Sequence, residues 1–192
     1  DRRLYALRDV THTVDSIPLI ASSIMSKKIA EGTEALVLDV KTGSGAFMVD
    51  FEQALKLAKT MVELGENSGV KTVAFITSME TVLGNNAGNA LEVSESLEVL
   101  EGRGPKDLIE ITLTLAQEML AVSNVDLDPS EVLASGKPRE VFEEMVAAQG
   151  GDLSQGLPVA KYKKTVNASA TGYLTKLDCR SVGIAAWRLG AG

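Results

Sequence analysis

ALVLDVKTGSGAFMVDFEQALKLAKTMVELGENSGVKTVAFIT, residues 35–77, is the stretch on which the fold turns. Ala35 to Val40 is a short apolar run with a polar end, the pattern of a buried strand. Lys41 to Phe47 is a turn containing Gly43 and Gly45. Asp50 is a good N-cap for a helix from Phe51 to about Leu64, with Ala54, Leu55, Ala58, Met61 and Val62 facing inward. Gly65 and Gly69 punctuate its end, and Lys71 to Thr77 is a second strand. Strand, helix and strand at this spacing make a βαβ crossover, which requires parallel strands covered by helices. The expected class is α/β, with a mixed, partly parallel sheet flanked by helices.

Toward the N-terminus lies LYALRDVTHTVDSIPLIASSIMSKK, residues 4–28. Asp15 or Ser16 caps a helix that runs to about Ala30 and closes at Gly32, and Pro18 is tolerated in its first turn. Ile20, Ser23 and Lys27 follow at spacings of three and four and so share one face. A hydroxyl and an ammonium beside an isoleucine suit the wall of a flat, polar-edged ligand site. Arg8, on the turn or short helix before, would complete that set. Ile29 to Thr33 reads as a crossover or hinge.

Toward the C-terminus the polar turn Leu83 to Asn89 leads into a helix from about Ala90 to Leu100. Further helices are expected over 106–121, in a short piece after Asp128, and over 139–148. Tyr162 to Val166 and Gly172 to Leu177 alternate like strands, and Arg180 to Leu189 reads as a closing helix. There is no internal repeat or low-complexity tract.

The chain has 192 residues, enough for a real core, with 45% apolar and 23% charged residues. Its net charge of −7 argues against a nucleic-acid binder, while leaving an anionic substrate open to local fields. A single cysteine, Cys179, cannot form an internal disulfide, which fits a reducing cytoplasm. No apolar run is long enough to span a bilayer, and DRRLYALRDV is not a secretory signal. One histidine and one cysteine rule out His-rich and Cys-rich zinc sites.

Tyr5-Ala6-Leu7-Arg8-Asp9, then Val14 to Ile20, Ser23 and the pair Lys27-Lys28 resemble the pyrimidine-binding signature of the pyrimidine nucleoside phosphorylases, which include thymidine phosphorylase. The resemblance extends over nearly the whole chain, more weakly between Ala121 and Val166. It implies a small all-α domain and a larger α/β domain flanking a cleft, with residues 1–30 in the first and 31–192 in the second. It also implies a homodimer in the full-length protein, and as substrates a pyrimidine nucleoside and inorganic phosphate, with no organic cofactor, nucleic acid or membrane partner.

In such a reaction phosphate attacks the anomeric carbon while the base departs with negative charge. Preorganised cations at the base carbonyls stabilise that charge where it develops. The resemblance gives this catalytic role to Arg8 and Lys27, with Ser23 on the base edge and Tyr5, Ile20 and Phe47 lining the pocket. Taken alone, Arg8 beside Asp9 reads first as a local ion pair, and Lys27-Lys28 first as cations suited to a helix C-terminus. Ile20 and Phe47 read equally as core. Gly43-Ser44-Gly45 follows a strand at the sheet end where ligands bind, but it has neither Walker nor dinucleotide-loop spacing. The resemblance also implies a monovalent or hard cation, potassium or calcium, held by the carbonyls of Leu83 and Asn86 and the carboxylate of Glu95; a solvated acidic helix explains that segment as well. His12 reads as incidental.

The family's glycine-rich Lys-His-Ser-Thr-Gly-Gly phosphate loop is absent from these residues. The sequence is therefore expected to be an internal piece that supplies the base-binding half of a site and is inactive alone. A phosphoribosyltransferase of the same fold is disfavoured by Arg8, Ser23 and Lys27 together. A non-catalytic piece that only folds or binds is the alternative from a different class.

Overall fold

The computed structural model describes residues 2–191. Among them, eight α-helices and two strands follow in the order α1 (Arg2–Val10), α2 (Ile17–Ala30), β1 (Ala35–Thr42), α3 (Phe51–Asn67), β2 (Lys71–Ser78), α4 (Asn89–Leu100), α5 (Lys106–Val122), α6 (Pro129–Ala134), α7 (Lys137–Ala148) and α8 (Cys179–Arg188). A 3₁₀ turn, Leu153–Gln155, precedes α8. The chain forms two compact units: residues 1–79 with 115–126, and residues 80–114 with 127–192. No helix among the described residues is long and apolar enough to cross a membrane.

The first unit is built on the expected crossover. β1 and β2 pair in parallel, from Ala35 opposite Lys71 to Thr42 opposite Ser78. The Asp50 side chain accepts a hydrogen bond from the Gln53 N–H at 3.0 Å and so starts α3. The buried stripe of α3 is Ala54, Leu57, Ala58, Met61 and Gly65. Leu55 and Val62, expected to face inward, are half-buried at its margins, because the stripe follows the 3-1-3-4 spacing that starts at Ala54 and includes Leu57. The stripe packs in one core with Leu36, Leu38 and Val40 of β1 and Ala74 and Ile76 of β2.

α2 joins that core along one side only. Ile17, Ala21 and Met25, spaced by four, are buried, and Met25 is 1% exposed. Fully burying a side chain of that size is worth roughly 1.5–3 kcal/mol. Pro18 lies in the first turn, and Ser16 occupies the cap position without a side-chain cap bond. The α3–β2 connection is equally specified. Glu66 Oε1 accepts the Thr72 N–H at 2.7 Å, and the buried Thr72 hydroxyl donates to the Val70 carbonyl at 2.8 Å. Gly65 lets the two elements approach, since a Cβ there would lie 2.0 Å from Thr72 Oγ1.

The regular elements of the second unit are helices among its described residues. Arg139 of α7 donates to Glu101 at 2.9 Å and to Glu143 at 2.6 Å. Val99 is buried beside Gly104, whose φ of 113° and close approach leave no room for a side chain. Asp128 caps α6. The Ser130 hydroxyl and then its N–H, both donating to Asp128, hold that carboxyl below its usual range. The strands expected at 162–166 and 172–177 do not form. Those residues carry no regular structure, and Tyr162, Val166, Tyr173 and Leu174 are largely exposed. A strand needs a hydrogen-bonded neighbour, and no described segment pairs with either.

Gly65→Ala is expected to destabilise the first unit by about 1–3 kcal/mol through overpacking against Thr72. Asp50→Ala should cost about 1 kcal/mol through loss of the α3 cap. Urea unfolding followed by circular dichroism measures both, and a Gly65→Ala midpoint equal to the wild type would refute the packing account.

Candidate functional site

Because Ile17, Ala21 and Met25 anchor α2 in the core, its next face carries Ile20, Ser23, Ile24 and Lys27 outward. These four line a cavity of about 410 Å³, within the size range of small-molecule sites. Tyr5 and Arg8 of α1 and Phe47 of the turn after β1 line the same cavity. All six residues expected to meet a substrate, Tyr5, Arg8, Ile20, Ser23, Lys27 and Phe47, therefore come together in one place. Val40, Met48, Leu57 and Met61 make its apolar floor.

Arg8 is held from three sides. Its Nε donates to the Thr13 carbonyl at 3.4 Å, and Nη2 donates to the Val14 carbonyl. Its guanidinium carbon stands 5.0 Å from the centre of the Tyr5 ring, a cation–π contact. These partners fix the guanidinium plane, and a guanidinium has five N–H donors to distribute. The residue is thus an oriented donor rather than half of a local pair with Asp9. On α2, Lys27 Nζ donates to Ser23 Oγ at 3.3 Å, so the hydroxyl and the ammonium point into the same space.

Three amides of the turn after β1 are engaged by backbone carbonyls. The Gly43 N–H donates to the Val49 carbonyl, the Gly45 N–H to the Met79 carbonyl and the Ala46 N–H to the Gly43 carbonyl. Gly43 has φ 114°, a conformation that suits glycine alone. Amides committed to carbonyls in this way do not form a phosphate cradle. What the turn does is bring Phe47, 58% exposed, to the cavity rim. His12 occupies the exposed turn after α1 at φ 52° and does not line the cavity.

Sequence reasoning does not single out Asp39 and Lys41, yet both line the cavity beside the six. The available signal was their i,i+2 spacing at the end of a parallel strand, which puts two charged side chains on one face of the sheet.

In the second unit, Asn86 and Glu95 meet. The Glu95 carboxylate, 4% exposed, accepts the Asn85 N–H at 3.0 Å and Asn86 Nδ2 at 2.9 Å. It lies against Gly84, where a Cβ would be 2.2 Å from Oε2. Leu83, immediately before, is 42% exposed. Asp107 Oδ2 accepts the Gly84 N–H at 3.0 Å and ties down the other side of the turn. Among the described residues no three His, Cys, Asp or Glu side chains converge as metal ligands. A carboxylate is a hard oxygen ligand, of the kind that suits a hard cation of low charge and not a transition metal, and here its oxygens accept from Asn85 and Asn86.

Residues 1–137 match the glycosyl transferase family, a/b domain. The whole chain aligns at 58% identity over 193 residues with a thymidine phosphorylase of Mycobacterium tuberculosis, covering 45% of that protein. It aligns at 49% over 204 residues with a pyrimidine-nucleoside phosphorylase of Staphylococcus epidermidis, covering 47% of it, and at 48% with one of Staphylococcus aureus, covering 47%. In each case 100% of this chain is covered, so the chain spans about half the length of these relatives.

Glu95→Ala leaves the Asn85 N–H and the Asn86 amide without their buried acceptor. It is expected to cost about 1–3 kcal/mol and to speed amide exchange at Asn85. Hydrogen-exchange NMR reads this directly, and unchanged protection at Asn85 would show that the turn is held by something else.

Proposed function

We infer the function from one premise: the chain belongs to the glycosyl transferase family with the a/b domain. The protein of which these residues form part catalyses reversible phosphorolysis of a pyrimidine nucleoside, giving the free base and a pentose 1-phosphate. It uses inorganic phosphate as co-substrate and no organic cofactor. Residues 1–30 belong to its small α-domain and 31–192 to its α/β domain. The observation that carries this reading is the convergence of Tyr5, Arg8, Ile20, Ser23, Lys27 and Phe47 on one cavity, in a chain so similar to proteins named for that chemistry.

A pyrimidine presents two carbonyls flanking an N–H, on a flat apolar ring. Ile20 and Phe47 cover the ring, and Tyr5 backs Arg8. Arg8 and Lys27 donate to the carbonyls, and Ser23 bonds the edge between them. As the glycosidic bond lengthens, the electron pair moves onto the base and its carbonyl oxygens gain negative charge. Two cations already in position strengthen their bonds as that charge grows, which lowers the barrier rather than merely tightening binding. Arg8 needs little reorganisation, because the Thr13 and Val14 carbonyls already orient it. The phosphate nucleophile is held by groups outside these residues.

A potassium or calcium ion at the turn of the second unit would be held by the Leu83 and Asn86 carbonyls and by Glu95. It would supply a fixed charge that stiffens the turn. The whole protein works as a cytoplasmic homodimer. What supports pairing through α1 is its exposed apolar row, Leu4, Leu7 and Val10.

In the full-length protein, Arg8→Ala and Lys27→Ala are each expected to lower kcat for thymidine or uridine by about 10²–10³-fold, the usual loss for a donor that meets developing charge. Steady-state phosphorolysis assays measure this, and near-normal rates in both variants would sink the assignment. Residues 1–192 alone should show no phosphorolysis, since they contain no phosphate-holding loop; turnover by the purified chain would overturn that.

A further inference from the structure

The cavity has a second polar wall that base recognition leaves unused. Asp39 and Lys41 lie on one face of β1, and the parallel register sets Thr77 of β2 opposite Lys41. Lys41 Nζ donates to Asp39 Oδ2 at 2.5 Å and to Thr77 Oγ1 at 2.8 Å, and the Thr77 hydroxyl donates to Asp39 Oδ1 at 2.5 Å. The three form a closed triangle. An ammonium has no acceptor, so the hydroxyl must accept from Lys41 and give its own proton to Asp39. Every proton in the triangle is thereby fixed in direction.

The Lys41 and Asp39 side chains keep 36% and 23% of their surface exposed, and both line the cavity. Thr77 does not line it, so it acts only through the other two. Two of the three Lys41 donors are used within the triangle, and the Asp39 carboxylate has lone pairs beyond the two it uses. The pair therefore offers a donor and an acceptor side by side, with no net charge. A phosphate would be repelled by Asp39. The carbonyls and N–H of the base are already met by Arg8, Lys27 and Ser23 in the proposed reading. A hydroxyl accepts from one and donates to the other and so satisfies both.

We propose that Asp39 and Lys41 bind a sugar hydroxyl of the nucleoside, with Thr77 as the positioning residue that orients both through its hydroxyl. The inference rests on the reading of this cavity as a pyrimidine nucleoside site. It adds to that site the part that distinguishes a nucleoside from its free base.

The test uses the full-length protein with Asp39→Asn, Lys41→Met, Thr77→Val and Thr77→Ser, each checked by thermal unfolding. Calorimetric titration compares free uracil with uridine, 2′-deoxyuridine and 2′,3′-dideoxyuridine, and phosphorolysis gives kcat/KM. Asp39→Asn and Lys41→Met are expected to weaken nucleoside affinity and kcat/KM by about ten- to a hundredfold, the worth of a hydrogen bond to a charged group, while free uracil binds as before. The preference for uridine over the dideoxy analogue should shrink by the same factor. Thr77→Val should share the loss and Thr77→Ser should restore it; this pair carries the test if the charge changes do not fold. Unchanged nucleoside affinity, or an equal loss for free uracil, would overturn the proposal. Arg8→Ala and Lys27→Ala report separately on the underlying reading: if free uracil still binds normally to both, the nucleoside site itself is wrong, whatever the triangle variants do.

Discussion

The burial of Ile17, Ala21 and Met25 is the constraint on which the rest of the first unit depends. Four-residue spacing puts them on one side of α2, and their insertion beside α3 fixes the rotation of the helix about its own axis. Once that rotation is set, Ile20, Ser23, Ile24 and Lys27 have only one direction to face. The core and the cavity are thus two consequences of the same packing. A helix with apolar side chains on one side and a mixed row on the next shows weak amphipathicity overall, and α2 reads as an ordinary apolar segment until its neighbours are known. The tight α3–β2 join, where Gly65 meets Thr72, fixes α3 against the start of β2, at the far end of the strands from Lys41 and Thr77.

A rigid frame matters because the polar groups of the cavity are each oriented by something other than a ligand. Two backbone carbonyls and an aromatic face hold Arg8. Lys27 leans on Ser23, and Lys41 on Asp39 and Thr77. Long cationic side chains otherwise lose rotamer entropy when a ligand orders them, at a cost of up to about 2 kcal/mol each. Here much of that ordering is already present, so less of the binding energy is lost to it.

How much of this was legible in the sequence differs by element. The βαβ unit was legible because periodicity changes at Gly43–Gly45 and again at Gly65–Gly69, and because Asp50 marks a helix start. The grouping of Ile20, Ser23 and Lys27 followed from helical spacing alone. Arg8 was placed by resemblance, while the carbonyls that orient it depend on the backbone path of residues 11–16, which no local pattern states. Asp39 and Lys41 were missed because a strand reading treats its polar end as a boundary. Whether such an end is solvent or a cavity wall depends on α2 packing beside it. The strands expected at 162–166 and 172–177 rested on alternation, which describes one edge of a pair and says nothing of whether the other edge is present. Glu95 read as equally solvated or ligating, and the structure shows a third use: a buried acceptor that ties the 84–86 turn to α4.

The two polar walls of the cavity differ in a way that bears on group transfer. One wall carries the cations Arg8 and Lys27. The other is a closed Asp39–Lys41–Thr77 set in which the charges cancel. In the proposed reaction the two products part with opposite needs. The base gains negative charge as it leaves, whereas the sugar passes through a cation-like state and then becomes neutral at its ring. A cationic wall at the base favours the first change, but a second cation near the sugar would oppose the other. Pairing Lys41 with Asp39 removes that penalty while keeping a fixed donor and acceptor in place. In that proposed reaction, the separation of a charged wall from a neutral one would let a single small cavity stabilise a transition state in which charge moves from one end of the ligand to the other.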